Sequence, residues 1–242
     1  MSKIVITGAT GNAGSAVLNY ALSDSSVSAV SVLSRRPPFV THPKLTHIAL
    51  PSAEHPQGFD EIPSDIIAKL KAEGYNSCIW ALGISQTLVS KDEYVKITHT
   101  YATSAAKAFS TIGTPTNPFR FVYMSGEGAE QDESGRALFS KIKGRTEKDL
   151  NILAKEQAGF EVVSVRPGGI YPAPDHIPRM HWIGGPLLRV SGTILKLVYP
   201  SIMIDSPDLA KACVMLAKGK GWEEKDAQGV IANAKLKKLA KE

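Results

Sequence analysis

The residues "SKIVITGATGNAG" (2–14) decide the fold that the rest of the sequence must fit. An apolar run typical of a buried strand ends at Gly8, and a helical pattern begins directly after the glycines. Gly8 allows a tight turn, Gly11 lets a pyrophosphate approach the backbone, and Gly14 lets the helix pack closely on the strand. The helix N-terminus presents free N–H groups to the phosphates. This context predicts a dinucleotide-binding loop formed by Gly8, Thr10, Gly11, Asn12, Ala13 and Gly14.

Strand and helix patterns alternate along the rest of the chain. Strands are predicted at 2–8, 27–35, 44–50, 76–83, 119–126 and 159–168. Helices are predicted at 12–23, 64–74, 91–113, from 137 onwards and at 206–219, and a last short strand and a basic tail follow residue 229. Ser64 is predicted as an N-cap and Gly74 as a helix stop. The alternation implies an α/β fold, a doubly wound parallel (Rossmann) sheet.

The alternation of strand and helix patterns stops between residues 168 and 200, which are rich in proline and glycine. We expect this section to form a small C-terminal cap over the sheet edge, within a single domain covering 1–242. His176, His181 and Trp182 lie there and are interpreted as substrate-pocket or lid residues. The two histidines have no carboxylate or cysteine at ligand spacing, so no metal site is predicted.

The end of the second strand indicates which dinucleotide binds. An NAD site usually carries an acidic residue there, to hold the ribose diol. This chain has "LSRRP", in which Arg35 and Arg36 could clamp a 2′-phosphate. We therefore predict NADP. The alternative is that Arg35 and Arg36 are two solvated arginines on a loop and bind no phosphate.

The composition of the 242 residues fits an ordinary globular protein with a net charge of +5. Cys78 and Cys213 are expected to be buried apolar side chains, which fits a reducing compartment and a cytoplasmic location. No signal peptide is visible, and no run reaches the length of a membrane span. The basic tail lacks interleaved aromatics, so neither a nucleic-acid nor a membrane partner is predicted, and the expected partner is a small-molecule substrate.

Several motifs follow one another in the order of the atypical and extended short-chain dehydrogenase/reductase superfamily. They are the glycine loop, "WALG" after strand four, "YMSGEGA" after strand five, Lys143 in the next helix and "VRPGGIY" after strand six. The chain resembles the Tat-interacting oxidoreductase-like and sugar-nucleotide-epimerase-like groups of that superfamily. The resemblance implies that Ser125 bonds the reacting carbonyl and that Lys143 binds the nicotinamide ribose. It further implies cofactor contacts at Leu82, Gly83, Pro167 and Gly168.

Two positions depart from the pattern of the superfamily. Phe139 stands where the resemblance places the catalytic tyrosine, four residues before Lys143. The segment after strand three, "IALPSAEHP", lacks the aspartate that often touches the adenine, for which Ser52 or the backbone could substitute. The first departure bears on mechanism, because phenylalanine cannot pass a proton to the substrate.

Another acid would have to replace the missing tyrosine. Tyr171, just beyond "RPGG", is the first candidate for the catalytic acid. Lys143 itself, or Ser125 through water, could also supply the proton. Four further candidates for the acid are Tyr123, Tyr101, His99 and Glu127. For each of them, packing in the core or exposure to solvent is an explanation that needs no catalytic role.

Two hypotheses of function follow. The first is an NADPH-dependent oxidoreductase, or an isomerase of the same superfamily, acting on a small carbonyl compound through Ser125, Lys143 and Tyr171. The alternative is a non-catalytic NADP(H)-binding sensor or regulatory protein, which Phe139 motivates. Long helices beside strands four and five often pair in this superfamily, so a homodimer is also considered.

Overall fold

Parallel strands form the centre of the molecule. The computed structural model describes residues 1–172 and 201–242. The strands in this part are β1 (Ser2–Thr7), β2 (Val27–Ser34), β3 (Leu45–Ala49), β4 (Ser77–Trp80), β5 (Phe119–Met124), β6 (Phe160–Arg166), β7 (Gly169–Tyr171), β8 (Met203–Asp205) and β9 (Val230–Ala232). Seven of them pair in the order β3-β2-β1-β4-β5-β6-β9, and every pairing is parallel. The predicted doubly wound sheet is confirmed.

Helices cover both faces of this sheet. They are α1 (Asn12–Ser23), α2 (Ser64–Ala72), α3 (Lys91–Val95), a π-helical turn (Lys96–Thr100), α4 (Tyr101–Phe109), α5 (Leu138–Glu156), α6 (Ser206–Ala217) and α7 (Asn233–Leu239). Side chains alternate across each strand, so β1 buries Ile4 and Ile6 in one core and Val5 in another. One core also contains α1 and α6, and the other contains α2, α4 and α5.

The ends of α2 match one prediction and correct another. Gly74 has a φ of +77°, and the N–H of Tyr75 bonds to the carbonyl of Leu70 at 3.0 Å, so the glycine ends the helix as predicted. The prediction that Ser64 is the N-cap is wrong. Ser64 is the first helical residue, and Pro63 occupies the cap position without a side-chain hydrogen bond.

The predicted helix over 91–113 is shorter and less regular than its sequence pattern suggests. A π-helical turn separates α3 from α4, and α4 ends at Phe109. A π turn adds a residue to the helical repeat, which sequence spacing of three and four does not reveal. Lys96, Ile97 and Thr98 of this turn line the cavities of the candidate site, whereas His99 lines a separate cavity.

The chain end is helical beyond the last strand, whereas the sequence predicted only a tail there. Asn233 begins α7, and its buried side chain donates to the carbonyl of Ser201 at 2.8 Å. Its Oδ1 accepts from the N–H of Gly168 at 3.1 Å. This residue therefore joins β6, α7 and the small β7–β8 sheet. The prediction of a cap over 168–200 lies mostly outside the described residues, which end at 172 and resume at 201.

Cys78 and Cys213 are both free and fully buried, as expected. Burial raises the pKa of the Cys213 thiol to about 12, so it stays protonated and packs as an apolar group.

In the ranges 1–172 and 201–242, no helix is both long and apolar enough to cross a membrane.

An ion pair between α1 and α6 gives a stability test. Asp24 accepts from Lys218 at 2.7 Å and from the N–H of Ser26 at 2.8 Å. Burial alone would raise the pKa of Asp24, but these hydrogen bonds outweigh burial and lower it from 3.8 to about 2. We expect Asp24→Asn to lower the free energy of unfolding by about 1.5–3 kcal/mol at pH 7.

The pH dependence of this loss has a defined sign. The stabilisation by Asp24 is complete above its unfolded pKa and disappears as the pH falls through about 4 toward about 2. Urea unfolding at pH 7 and at pH 3 should therefore show a smaller difference between wild type and variant at pH 3. Glu54→Gln, at an exposed loop position, is the control. Equal losses at both pH values would contradict the prediction.

Candidate functional site

The glycine loop lies where the strand order reverses, between β1 and β4. Gly8 has a φ of +67°, and a Cβ added there would lie 2.3 Å from the carbonyl oxygen of Ala81. A Cβ at Gly14 would lie 2.1 Å from the carbonyl oxygen of Gly8. Both positions therefore admit only glycine, for the reasons predicted. Open α/β sheets bind ligands at such a reversal.

The N-terminus of α1 offers unused hydrogen-bond donors. Gly11 is the N-cap and contributes no side-chain cap, so the first N–H groups of the helix point outward unpaired within the helix. Asn12 donates to the carbonyl of Ile170 at 3.2 Å, while its buried Oδ1 has no partner in the described part of the chain. Ala13 packs against the core. A pyrophosphate fits this end of the helix, because it accepts hydrogen bonds and carries negative charge.

A cavity of about 660 Å³ extends from the glycine loop past the end of β2. Its walls include Gly8 and Thr10, Leu82 after β4, and Arg35 and Arg36 after β2. Both arginines are exposed at this wall. The structure thus brings together the predicted loop residues and the predicted arginines. A cavity of this size suits a nucleoside moiety and its phosphates.

Part of this cavity wall was missed by sequence reasoning. Residues 56–60, Lys96 and Tyr101 also line it, and Lys96 pairs with Asp60 at 2.8 Å. Ser52, suggested for the adenine, lies instead in a separate surface cavity, where its hydroxyl accepts from the N–H of His55. The long loop after β3 folds back on the site through Phe59, which contacts Trp80 and Tyr101 edge-on or tilted. The feature of the sequence that could have indicated this contact is an aromatic residue, Phe59, within a proline- and glycine-rich loop.

A second cavity of about 260 Å³ lies at the carboxyl ends of β4 and β5. It shares Leu82 and Ile84 with the first cavity, so the two cavities adjoin at the loop after β4, and we refer to them together as the cleft. Its lining includes Gly83, Ser125, Lys143, Tyr123 and Ile170. A Cβ added at Gly83 would meet no described residue within 4 Å, so packing in the ranges 1–172 and 201–242 does not require a glycine there.

Ser125 and Lys143 lie together in this second cavity, as the sequence predicted. The hydroxyl of Ser125 is buried and has no partner among the described residues. The ammonium of Lys143 donates to the carbonyl oxygen of Ser125 at 2.6 Å and approaches that of Met124 at 3.5 Å. Burial lowers the pKa of Lys143 to about 8, although the charge of Glu147 opposes this shift. A buried hydroxyl without a partner is a place where a ligand oxygen fits.

Phe139 packs at the start of α5 and takes no part in hydrogen bonding through its side chain. Its ring lies near Gly128, where an added Cβ would be 3.6 Å from Cζ. Its backbone N–H is one of the free donors of the first helical turn, and it donates to Oε1 of Gln86 at 2.9 Å. Gln86 therefore caps α5 from the loop after β4, a long-range contact that no local pattern could indicate.

The other proton-donor candidates are dispersed. Tyr123 is buried, and its hydroxyl donates to the carbonyl of Thr98 at 3.4 Å. His99 pairs with Asp149 at 2.7 Å, in a separate cavity. Ile170 lines the second cavity, and side chains alternate along β7, which directs Tyr171 to the opposite face. The catalytic role of Tyr171 stays a prediction.

Tyr101 and Glu127 lie away from the second cavity. Tyr101 lines the first cavity and tilts against Phe59. Glu127 is exposed, and its N–H donates to the carbonyl of Pro167 at 2.9 Å. Gly168 packs against the residue before β8, since a Cβ there would lie 1.8 Å from the carbonyl oxygen of Ile202. Pro167 and Gly168 are thus held by Glu127 and Ile202, and their cofactor contacts stay a prediction.

A buried ion pair stands directly behind Lys143. Glu147 is fully buried, and its two oxygens accept from Arg166 at 2.9 and 2.6 Å. Gln131 donates to the same carboxylate at 3.1 Å. In the sequence, this pair is marked by a charged residue, Glu147, on the otherwise buried face of α5.

Metal chemistry finds no support in the ranges 1–172 and 201–242, where no group of three potential ligands occurs. His176, His181 and Trp182, interpreted from the sequence as pocket or lid residues, lie outside the described residues.

Comparison with known proteins identifies distant relatives. No protein-family model matches the chain. Leucinostatins biosynthesis cluster protein T of Purpureocillium lilacinum is 30% identical over 61% of this chain and 50% of that protein. Protein FMP52-1, mitochondrial, of Scheffersomyces stipitis is 32% identical over 62% and 60%. The chain thus spans 50–60% of the length of these two relatives. Protein FMP52, mitochondrial, of Candida albicans is 27% identical over 97% of this chain and 96% of that protein.

Solved structures of short-chain dehydrogenases and epimerases share the fold. Thermoplasma acidophilum aldohexose dehydrogenase superposes with a TM-score of 0.69 at 17% identity, covering 98% of this chain and 94% of that one. UDP-N-acetylglucosamine 4-epimerase from Bacillus cereus gives 0.63 at 14%, covering 91% and 76%. A Burkholderia cenocepacia short-chain dehydrogenase in complex with NADP gives 0.61 at 11%, covering 99% and 91%. These similarities establish the Rossmann fold of this chain.

The ion pair behind Lys143 can be tested by neutralising one partner. Glu147→Gln leaves Arg166 partly buried without its counter-charge, so we expect a loss of about 3–5 kcal/mol in the free energy of unfolding. Loss of the negative charge should also lower the pKa of Lys143 further, since Glu147 now raises it. Denaturant unfolding measures the first effect.

Glu133→Gln provides the control for this test, because its pair with Arg145 is partly exposed. We expect that variant to lose no more than about 1 kcal/mol. Equal losses in the two variants would show that burial of Glu147 contributes little to stability.

Proposed function

We propose that the protein is an NADPH-dependent oxidoreductase, or an isomerase of the short-chain dehydrogenase/reductase superfamily, acting on a small carbonyl compound. The observation that carries this proposal is the buried hydroxyl of Ser125, which has no partner in the ranges 1–172 and 201–242. It lies beside Lys143, at the end of a cleft that starts at the glycine loop. The cleft offers phosphate donors at one end and carbonyl-binding groups at the other. The fold shared with dehydrogenases and epimerases supports the same assignment.

Each part of the cleft has a separate task under this proposal. The reduced nicotinamide nucleotide, when bound, supplies a hydrogen and two electrons to the substrate carbon. The N-terminus of α1 holds the pyrophosphate, and Gly83 leaves room for the nucleotide along β4. The hydroxyl of Ser125 donates to the carbonyl oxygen, where negative charge develops. Pro167 and Gly168, which follow β6 and are held by Glu127 and Ile202, would contact the nicotinamide end of the nucleotide.

NADP is proposed over NAD on the basis of charge. Neither Ser34, at the end of β2, nor the two residues after it are acidic, so the usual partner of a ribose diol is missing there. Arg35 and Arg36 are exposed on the cavity wall and can bind a phosphate at that point. The loop is held in place by Ser34, whose hydroxyl donates to the carbonyl of Arg36 at 2.7 Å.

A non-catalytic NADP(H)-binding protein is the second candidate. Phe139 favours it, because the position that would carry the catalytic hydroxyl is apolar, and the hydroxyl of Tyr123 is engaged with Thr98. Titration with NADPH and NADH, followed by NADPH oxidation with aldehydes, ketones and quinones, separates the candidates. Turnover by wild type supports an enzyme. Binding of NADPH with turnover only in Phe139→Tyr supports the sensor, and binding of neither nucleotide overturns both.

Cellular location and assembly are proposals as well. The cytoplasmic location rests on the sequence, whereas the names of two relatives describe those proteins as mitochondrial. Fluorescence microscopy of the tagged chain distinguishes the two compartments. A homodimer through the long helices next to β4 and β5 would appear in sedimentation experiments as twice the chain mass.

Arg35 and Arg36 should determine the preference for NADPH. We expect Arg35→Gln/Arg36→Gln to weaken NADPH binding by about 10–100-fold, because charge-assisted hydrogen bonds to the 2′-phosphate are lost. Binding of NADH should change little. Lys148→Gln/Lys155→Gln removes the same charge from exposed positions of α5 and serves as the control. Similar losses for both nucleotides would contradict a 2′-phosphate contact.

Gly83 should matter for nucleotide binding and not for stability. A Cβ at this position meets no described residue within 4 Å, so Gly83→Ala should leave the free energy of unfolding within about 0.5 kcal/mol of wild type. The methyl group would occupy space that the nucleotide needs, and we expect at least a tenfold weaker affinity for NADPH. Fluorescence titration and thermal unfolding measure the two effects. Unchanged affinity would show that the nucleotide does not pass Gly83.

A further inference from the structure

The cavity at Ser125 contains few groups that can carry a proton. Among the described residues that line it, only Tyr123 and Lys143 have titratable side chains. Ser125 can donate a hydrogen bond to a substrate oxygen, but its hydroxyl is too weak an acid to give up a proton without a second group. The source of the proton therefore depends on the states of Tyr123 and Lys143.

Tyr123 is unsuited to proton transfer. Its ring is 2% exposed, and its hydroxyl donates to the carbonyl oxygen of Thr98. Burial raises the pKa of Tyr123 far above its ordinary value, so the phenol stays neutral and cannot cycle near neutral pH. A phenol that is to act as an acid should point its proton into the cleft, and this proton points into the core.

Lys143 has the geometry that Tyr123 lacks. A lysine ammonium carries three N–H donors. Two carbonyl oxygens lie within reach, that of Ser125 at 2.6 Å and that of Met124 at 3.5 Å. At least one N–H remains, and the residue lines the same cavity as the Ser125 hydroxyl. An added Cβ at Gly126 would be 3.6 Å from Nζ, an ordinary van der Waals distance, so the ammonium lies close to this glycine.

We propose that Lys143 is the proton donor of this site and gives its proton directly to the substrate carbonyl oxygen, in place of a tyrosine. The proposal rests on the proposed reductase function. In the reduction, the carbonyl carbon accepts a hydrogen with two electrons from the reduced nicotinamide nucleotide, and a C–H bond forms. The carbonyl π bond breaks, its oxygen takes the proton from Nζ, and an alcohol results. Lys143 is left as a neutral amine that regains a proton from water.

Charged and titratable groups face Lys143 from several elements. Glu147, on its own helix, is bound by Arg166 of β6 and by Gln131, and its charge opposes the effect of burial on the pKa of Lys143. Glu127, in the loop after β5, is exposed. Tyr123 of β5 stays neutral, as argued above. From the π-helical turn, His99 pairs with Asp149 in another cavity.

The role of Lys143 as proton donor determines how the rate of carbonyl reduction depends on pH. Burial lowers the pKa of Lys143 to about 8, so the ammonium is present at neutral pH and still acidic enough to donate. Carbonyl reduction needs the protonated form, and its rate should fall as the pH rises through about 8. Alcohol oxidation needs the neutral amine, and its rate should rise over the same range.

Lys143→Arg separates proton donation from charge. Arginine keeps the positive charge and donors for the ribose, but it does not release its proton in the accessible pH range. We expect kcat for carbonyl reduction to fall by about 100-fold or more, with a smaller change in the Kd for NADPH. The decline near pH 8 should disappear from any residual activity. Lys143→Met is the second variant, should arginine not fit, and is expected to show the same loss of kcat.

Lys141→Arg is the matched control, because this lysine is exposed two residues earlier on α5. Its kcat and pH profile should equal those of wild type. If Lys143→Arg keeps kcat within about threefold and an unchanged pH profile, the lysine only binds or positions, and the proposal fails while the reductase function stands. If wild type binds NADPH but reduces no carbonyl, both fail.

A measurement without turnover completes the test. NMR of lysine side chains labelled with 13C at Cε, with Lys143 assigned by its loss in Lys143→Arg, follows protonation directly. We expect the Lys143 resonance to titrate near pH 8, while exposed lysines titrate near their ordinary value of about 10.4. NADP⁺ should shift this resonance, because the nucleotide would occupy the same cleft. Titration of Lys143 above pH 10, with or without NADP⁺, would overturn the proposal.

Discussion

The close contact between the backbone of Gly8 and that of Gly14 is the constraint on which the rest of the structure depends. A single methyl group at either glycine would overlap a carbonyl oxygen, that of Ala81 or that of Gly8 itself. Because the backbones touch, α1 begins immediately above β1, and its free N–H groups face the point where the strand order reverses. The cleft along β4 and the loop after it follow from that placement.

At the other end of the cleft, a buried carboxylate, its arginine partner and a lysine lie close together. The carboxylate of Glu147 is fully buried and is held by Arg166, and Lys143 lies one helical turn before it. The attraction of Glu147 for Lys143 is weaker than the effect of burial, so the ammonium binds its proton less tightly than an exposed lysine does. An apolar Phe139 is compatible with this arrangement, since the helix start is held through its backbone by Gln86.

The sequence could place candidate residues near one another where the ends of strands carry them. The glycine loop lies near the arginines after β2, and Ser125 lies near Lys143, because strand ends of a parallel sheet meet at one edge. Three features could not be predicted from the sequence: the wall formed by residues 56–60, the cap contributed by Gln86 and the direction of Tyr123. Each depends on how a loop or a helix turn folds over residues far away in the chain. The spacing of apolar residues does not indicate such contacts.

The sequence by itself determined the fold class, most element positions and the position of the glycine loop, since strand and helix periodicity and glycine spacing are local properties of the backbone. It did not determine which titratable groups line the cavity at Ser125. Only the tertiary structure showed that the Tyr123 hydroxyl bonds to the carbonyl of Thr98, that Ile170 lines the cavity, and that Lys143 lies beside Ser125, whose hydroxyl has no partner among the described residues. Burial and hydrogen bonding set the acidity of a group, and both arise from contacts between elements that the chain brings together only on folding.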